Sequence, residues 1–129
     1  MRRQRGFSLV EILVAFMILS IVMTISLAAF VERSRRLQQA SEIILAYQAL
    51  ANEAEYRRRM DYASLEAQSP EFVSDVAVLD PLKPFATIVA VKQVQPGIKS
   101  VLMTIRWNEG QRQAKLELLR VDTGGSNLW

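Results

Sequence analysis

RRQRGFSLVEILVAF, residues 2–16, sets three arginines, a glycine and a phenylalanine before an apolar run, then places one glutamate inside that run. From Ile12 to Val31 no residue is charged, and only Ser20, Thr24 and Ser26 are polar. About twenty such residues are enough for one helix to cross a bilayer. Arg2, Arg3 and Arg5 then act as a topology signal that holds the N-terminus in the cytoplasm. The apolar run is long for the core of a secretory signal and has no small-x-small cleavage site at its far end. It continues instead into Val31-Glu32-Arg33-Ser34-Arg35-Arg36, which extends the helix.

A plain signal anchor accounts for the arginines and the apolar run but leaves two residues unexplained. Gly6 stands at the junction, where a residue without a side chain suits a protease cleft. Glu11 lies inside the membrane segment, where a charge costs about 2.5–3.5 kcal/mol even on a permissive insertion scale. Nothing from Ile12 to Val31 offers it a partner.

Residues 5–20, RGFSLVEILVAFMILS, resemble the class III signal peptide of type IV pilins and type II secretion pseudopilins. The likeness comprises a short basic leader, the glycine, the phenylalanine, the apolar stretch and a glutamate five positions after the glycine. It implies that prepilin peptidase cuts between Gly6 and Phe7 and that Phe7 becomes an N-methylated first residue. It also implies that Glu11 is the carboxylate used in subunit assembly. In a filament that carboxylate approaches the new amine of a neighbouring subunit. The two charges attract strongly in a low dielectric, and leaving either one unpaired is heavily penalised.

The remaining chain is read from its periodicity. No proline or glycine occurs between Glu32 and Met60. Leu37, Ala40, Ile44, Tyr47, Ala51 and Ala54, widened by Ile43 and Leu50, recur at helical spacing. Glu42, Glu53, Glu55 and Arg57 fall mostly off that stripe. The whole predicts a helix of about fifty residues, some 75 Å long at 1.5 Å per residue. Its first half is transmembrane and its second half amphipathic. Arg57-Arg58-Arg59 is expected to be a solvated helix end, where cations suit the dipole. Residues 61–84, with Pro70, Pro81 and Pro84, predict a loop with at most one short strand near 72–78.

The period then changes to two. Residues 86–94, 101–107 and 114–121 predict three strands joined by Pro96-Gly97 and Asn108-Glu109-Gly110 turns. Val101, Met103, Ile105 and Trp107 share one face, as do Ala114, Leu116 and Leu118. The fold expected is α+β, with a long N-terminal helix packed on a small antiparallel sheet of about three strands. The pilin resemblance implies the same architecture. The tail from Thr123 to Trp129 is glycine-rich and expected to be flexible. The divisions are a leader at 1–6, a transmembrane, filament-core segment at 7–31, and a periplasmic part at 32–129.

Composition narrows the function classes. The chain has 16 Lys and Arg against 13 Asp and Glu, a net charge of +3. The three leader arginines account for all of it, so no nucleic-acid partner is expected. There is no cysteine and no histidine, which excludes disulfides, thiol chemistry and the common zinc sites. No acid pair, phosphate loop or metal spacing points to an enzyme or a cofactor. The resemblance implies a minor pilin or minor pseudopilin of the inner membrane, with a cytoplasmic N-terminus and its globular part outside. The family's major pilins carry a helix proline, whereas the first proline after the apolar run here is Pro70. Partners so implied are prepilin peptidase, other pilins through the N-terminal helices, the inner-membrane assembly platform, and lipid before assembly. The competing reading is a signal-anchored membrane protein whose small domain binds a partner and never polymerises.

Overall fold

The computed structural model describes Gly6 and residues 8–124. Arg2, Arg3, Arg5, Phe7 and the tail from Gly125 to Trp129 lie outside the described residues. Two compact units divide the chain, 1–39 and 40–129. One helix, α1 (Leu9–Arg59), supplies residues to both. The strands are β1 (Phe85–Gln95), β2 (Ile98–Trp107) and β3 (Arg112–Val121), and they form an antiparallel meander in the order β1-β2-β3. The fold is α+β, as the periodicities predict.

In the first unit the helix is uncharged and apolar all round from Ile12 to Val31, and its large apolar side chains from Leu9 to Val31 are exposed. It is long and apolar enough to cross a membrane, with a mean hydropathy of 2.6. Two of its hydroxyls are satisfied within the helix. Ser20 Oγ donates to the Phe16 carbonyl and Thr24 Oγ1 to the Ser20 carbonyl, each at 2.8 Å. This i→i−4 bonding spares a hydrocarbon environment two unpaired donors.

The second unit builds its own core. The inner face of the sheet supplies Val89, Val101, Met103, Ile105, Trp107 and Ala114. Leu65, Leu79 and Leu82 close the core from the 61–84 connection. That connection holds short 3₁₀ turns at Tyr62–Ser64 and Ala77–Leu82, and 72–78 forms no strand. Its backbone instead bonds to side chains of the helix.

The helix face that meets the sheet differs from the expected stripe. Ala46, Ala49, Leu50, Glu53 and Arg57 are buried, while Ile44 is 65% and Tyr47 50% exposed. Leu50 belongs to both faces, and Glu53 and Arg57 complete the true one with polar residues, which hid it from an apolar pattern. Arg57 corrects the expectation of a solvated basic end: it is fully buried, and only Arg58 and Arg59 face solvent.

Arg57 is tolerated in the interior because its guanidinium meets a carboxylate and two carbonyls. Its Nε donates to Glu53 Oε1 at 2.7 Å, and its Nη2 donates to the Ser69 and Glu71 carbonyls at 3.1 Å. Glu53 Oε2 in turn accepts the Val73 N–H at 3.1 Å and the Ser74 N–H at 2.9 Å. Burial alone pushes the Glu53 carboxyl up, but the Ser74 backbone N–H and the Arg57 guanidinium outweigh it and hold it below the ordinary glutamate range. One ion pair thus ties the 69–74 segment to the helix.

A second tie lies at residue 42. Glu42 Oε2 accepts from Trp107 Nε1 at 3.1 Å and from the Arg112 guanidinium. Arg120 donates to the Arg58 carbonyl and, at 2.7 Å, to the Met60 carbonyl. Glu42 therefore meets the start of β3 and Arg58 its end, so helix and β3 run in the same direction.

Candidate functional site

The candidate site is the start of α1. Ser8 precedes the first helical residue, Leu9, and places Glu11 in the first turn. Ser8 Oγ accepts the Val10 N–H at 3.3 Å, and Glu11 Oε2 accepts the Ser8 N–H at 3.1 Å. Ser8-Leu9-Val10-Glu11 is therefore a reciprocal capping box, in which cap and acid each satisfy a backbone donor of the helix start. A negative charge in the first turn also complements the helix dipole. Glu11 thus has a local partner that the sequence reading did not supply. The S-x-x-E pattern was the signal that gives it away.

That hydrogen bond leaves the carboxylate far from saturated. An ionised carboxylate has about four acceptor positions, and here one oxygen takes one N–H. Glu11 stays exposed at the end of the helix and is free to accept a stronger donor.

Gly6 is exposed as well. A Cβ built on it would meet nothing within 4 Å among the described residues. The fold of the described residues therefore places no demand for glycine at this position. Gly6, Ser8 and Glu11 fall within one short stretch, while Arg2, Arg3, Arg5 and Phe7 lie outside the described residues. No group of three or more potential metal ligands occurs among the described residues.

Residues 1–27 match the family model of the prokaryotic N-terminal methylation motif. No curated protein and no solved structure gives a significant match. The motif belongs to a structural rather than a catalytic class and supports processing by prepilin peptidase. Together with the long N-terminal helix and the small antiparallel sheet behind it, the motif fits a membrane-anchored, pilin-like protein.

Proposed function

We propose that this chain is a minor pilin or minor pseudopilin. Prepilin peptidase cuts it between Gly6 and Phe7, and Phe7 is then N-methylated. The processed subunit waits in the inner membrane and joins a filament through its N-terminal helix, helping to start or cap assembly. The observation that carries this reading is the methylation motif at 1–27, with Glu11 in the first turn of the helix that follows. Gly6 is compatible with it: it is exposed, and nothing in the fold competes for that position.

Glu11 is the assembly carboxylate in this reading. An N-terminal amine from a neighbouring subunit is a charged donor, and charge-assisted bonds are roughly twice as strong as neutral ones. It displaces or joins the Ser8 N–H. The pair then specifies register between subunits, because a subunit out of register leaves both charges unpaired in a dry environment.

The test is intact mass and N-terminal sequencing of the membrane-extracted protein, with and without prepilin peptidase. The expected product begins at N-methylated Phe7 and forms only with the peptidase. Gly6→Val should block the cut. Glu11→Ala should be cut and yet be excluded from filaments. A chain that begins at Met1 in both cases would overturn the proposal.

The alternative is a signal-anchored protein that never polymerises. The bond from the Ser8 N–H favours it, since a capped Glu11 needs no neighbour. It predicts an uncut N-terminus and indifference to Glu11→Ala.

A further inference from the structure

The arginines of α1 are not equally provided with counter-charges. Arg36 has Glu32 at 2.9 Å, Arg57 has Glu53 at 2.7 Å, and Arg58 and Arg59 share Glu55 at 3.9 and 3.1 Å. Among the described residues, no carboxylate lies within 4.0 Å of Arg33 or Arg35. The only acid within four residues of either is Glu32, and Arg36 already holds it. Arg33, Arg35 and Arg36 are all exposed.

Their place along the helix says what supplies the missing anion. The uncharged residues from Ile12 to Val31 rise about 30 Å at 1.5 Å each, the thickness of the hydrocarbon core of a bilayer. With Val31 at the edge of that core, Arg33, Arg35 and Arg36 fall in the first two turns beyond it, at the level of the lipid phosphates. Their long stems extend the reach of the charged groups into that layer. At about 100° per residue, the three side chains spread over about 160° of the helix surface. That spread meets several lipids at once, whereas a neighbouring helix would face only one side. A guanidinium also pairs with a phosphate through two parallel N–H bonds, a geometry that an exposed arginine without a carboxylate is free to adopt.

We infer that Arg33, Arg35 and Arg36 form a collar that binds the phosphates of anionic phospholipids, in the headgroup layer at the end of the span away from the leader. Three arginines less Glu32 leave the collar a net charge of +2. Near an anionic membrane surface each arginine strengthens binding about fivefold. The collar rests on the membrane-spanning part of the proposed reading and is independent of the cut at Gly6.

The experiment reconstitutes the full chain in phosphatidylcholine vesicles at low salt, with Arg2, Arg3 and Arg5 all changed to Gln so that the leader attracts no lipid. Traces of spin-labelled phosphatidylglycerol or phosphatidylcholine are added, and electron paramagnetic resonance reads the fraction of each that the helix immobilises. Phosphatidylglycerol should associate about fivefold more strongly, or better. Changing Arg33, Arg35 and Arg36 together to Gln should bring the two lipids to parity. Changing them to Lys keeps the charge without the paired geometry and should keep most of the preference. Arg33→Gln and Arg35→Gln should each cost more than Arg36→Gln, whose charge Glu32 already meets. Salt at about 1 M, where the screening length is about 3 Å, should reduce the preference. An unchanged preference in the triple Gln variant would overturn the inference. So would a preference that disappears as the chain-to-lipid ratio is raised, which assigns the arginines to a second copy. Immobilised lipid without a headgroup preference would overturn the collar alone, and no immobilised lipid of either kind would overturn the membrane reading with it.

Discussion

Two of the glutamates of α1, Glu11 and Glu53, are in opposite circumstances. Glu53 is fully buried and accepts hydrogen bonds on both oxygens, from Arg57, Val73 and Ser74. Glu11 is exposed and accepts one, from the Ser8 N–H. The surroundings differ in the same way. The helix of residues 9–39 shows its apolar side chains on every side, whereas residues 40–124 enclose a core. The second region encloses its core within one chain. The first encloses none and is long and apolar enough to cross a membrane. In the proposed reading, the carboxylate with spare acceptors lies in the region that joins other chains, and the saturated one in the region that builds its own core.

The largest effect expected from this contrast is at Arg57. Arg57→Ala leaves Glu53 buried without its counter-charge and frees the Ser69 and Glu71 carbonyls. Removing one partner of a buried pair costs about 3–5 kcal/mol. Denaturant unfolding of the 40–124 region should show a loss of that order, enough to unfold many small domains. Glu11→Ala should leave the same transition within about 0.5 kcal/mol, as exposed sites do. The double change Glu53→Leu with Arg57→Met should be milder than Arg57→Ala alone, because no charge is left buried. If Arg57→Ala unfolds like the parent chain, the buried pair is not what holds the 69–74 segment.

A smaller effect follows from acid. The Glu53 carboxyl is held below its ordinary value in the folded chain, so the unfolded chain binds the proton more readily. Its contribution is therefore full above the ordinary glutamate pKa of about 4.3 and is lost as pH falls through the lowered value. The melting temperature should fall below about pH 4, more steeply in the parent chain than in Glu53→Gln, whose amide does not titrate there. Equal slopes would mean that other carboxylates carry the whole acid dependence.

These residues also mark where the sequence was legible. The strands, the turns and the inward set Val101, Met103, Ile105 and Trp107 follow from strict alternation, and the structure places them accordingly. The length of the helix followed from an unbroken stretch without proline or glycine. Its buried face did not, because Glu53 and Arg57 have the residue types of a surface and are buried only through a segment twelve and more residues away. The ties from Glu42 to Trp107 and Arg112 span still longer separations, which no local pattern reports. At the candidate site, Gly6 and Glu11 were visible as exceptions to an apolar anchor. Ser8 is equally legible as a cap, since S-x-x-E before an apolar run is a helix-start pattern that gives Glu11 its simplest local partner.

The smallest effect expected is at the β2–β3 turn, and it is a gain. Asn108 and Glu109 lie in the left-handed region, with φ of 53° and 55°, and the Gly110 N–H closes the turn on the Trp107 carbonyl at 3.2 Å. Positive φ at both central positions marks a type I′ turn, whose favoured pair is Asn-Gly. Asn108 fits, but Glu109 stands where glycine would cost least, and its Cβ makes that conformation unfavourable by about 1 kcal/mol. Glu109→Gly relieves that strain but gives the unfolded chain more freedom, which offsets part of the gain. A net stabilisation of about 0.5 kcal/mol is expected in denaturant unfolding, and Glu109→Val, β-branched at the same φ, should lose about 1 kcal/mol. Opposite signs for the two variants would place the strain in the backbone of the turn. If both destabilise, the Glu109 side chain itself contributes to the fold, and the 40–124 region is less complete without its surface than its saturated core implies.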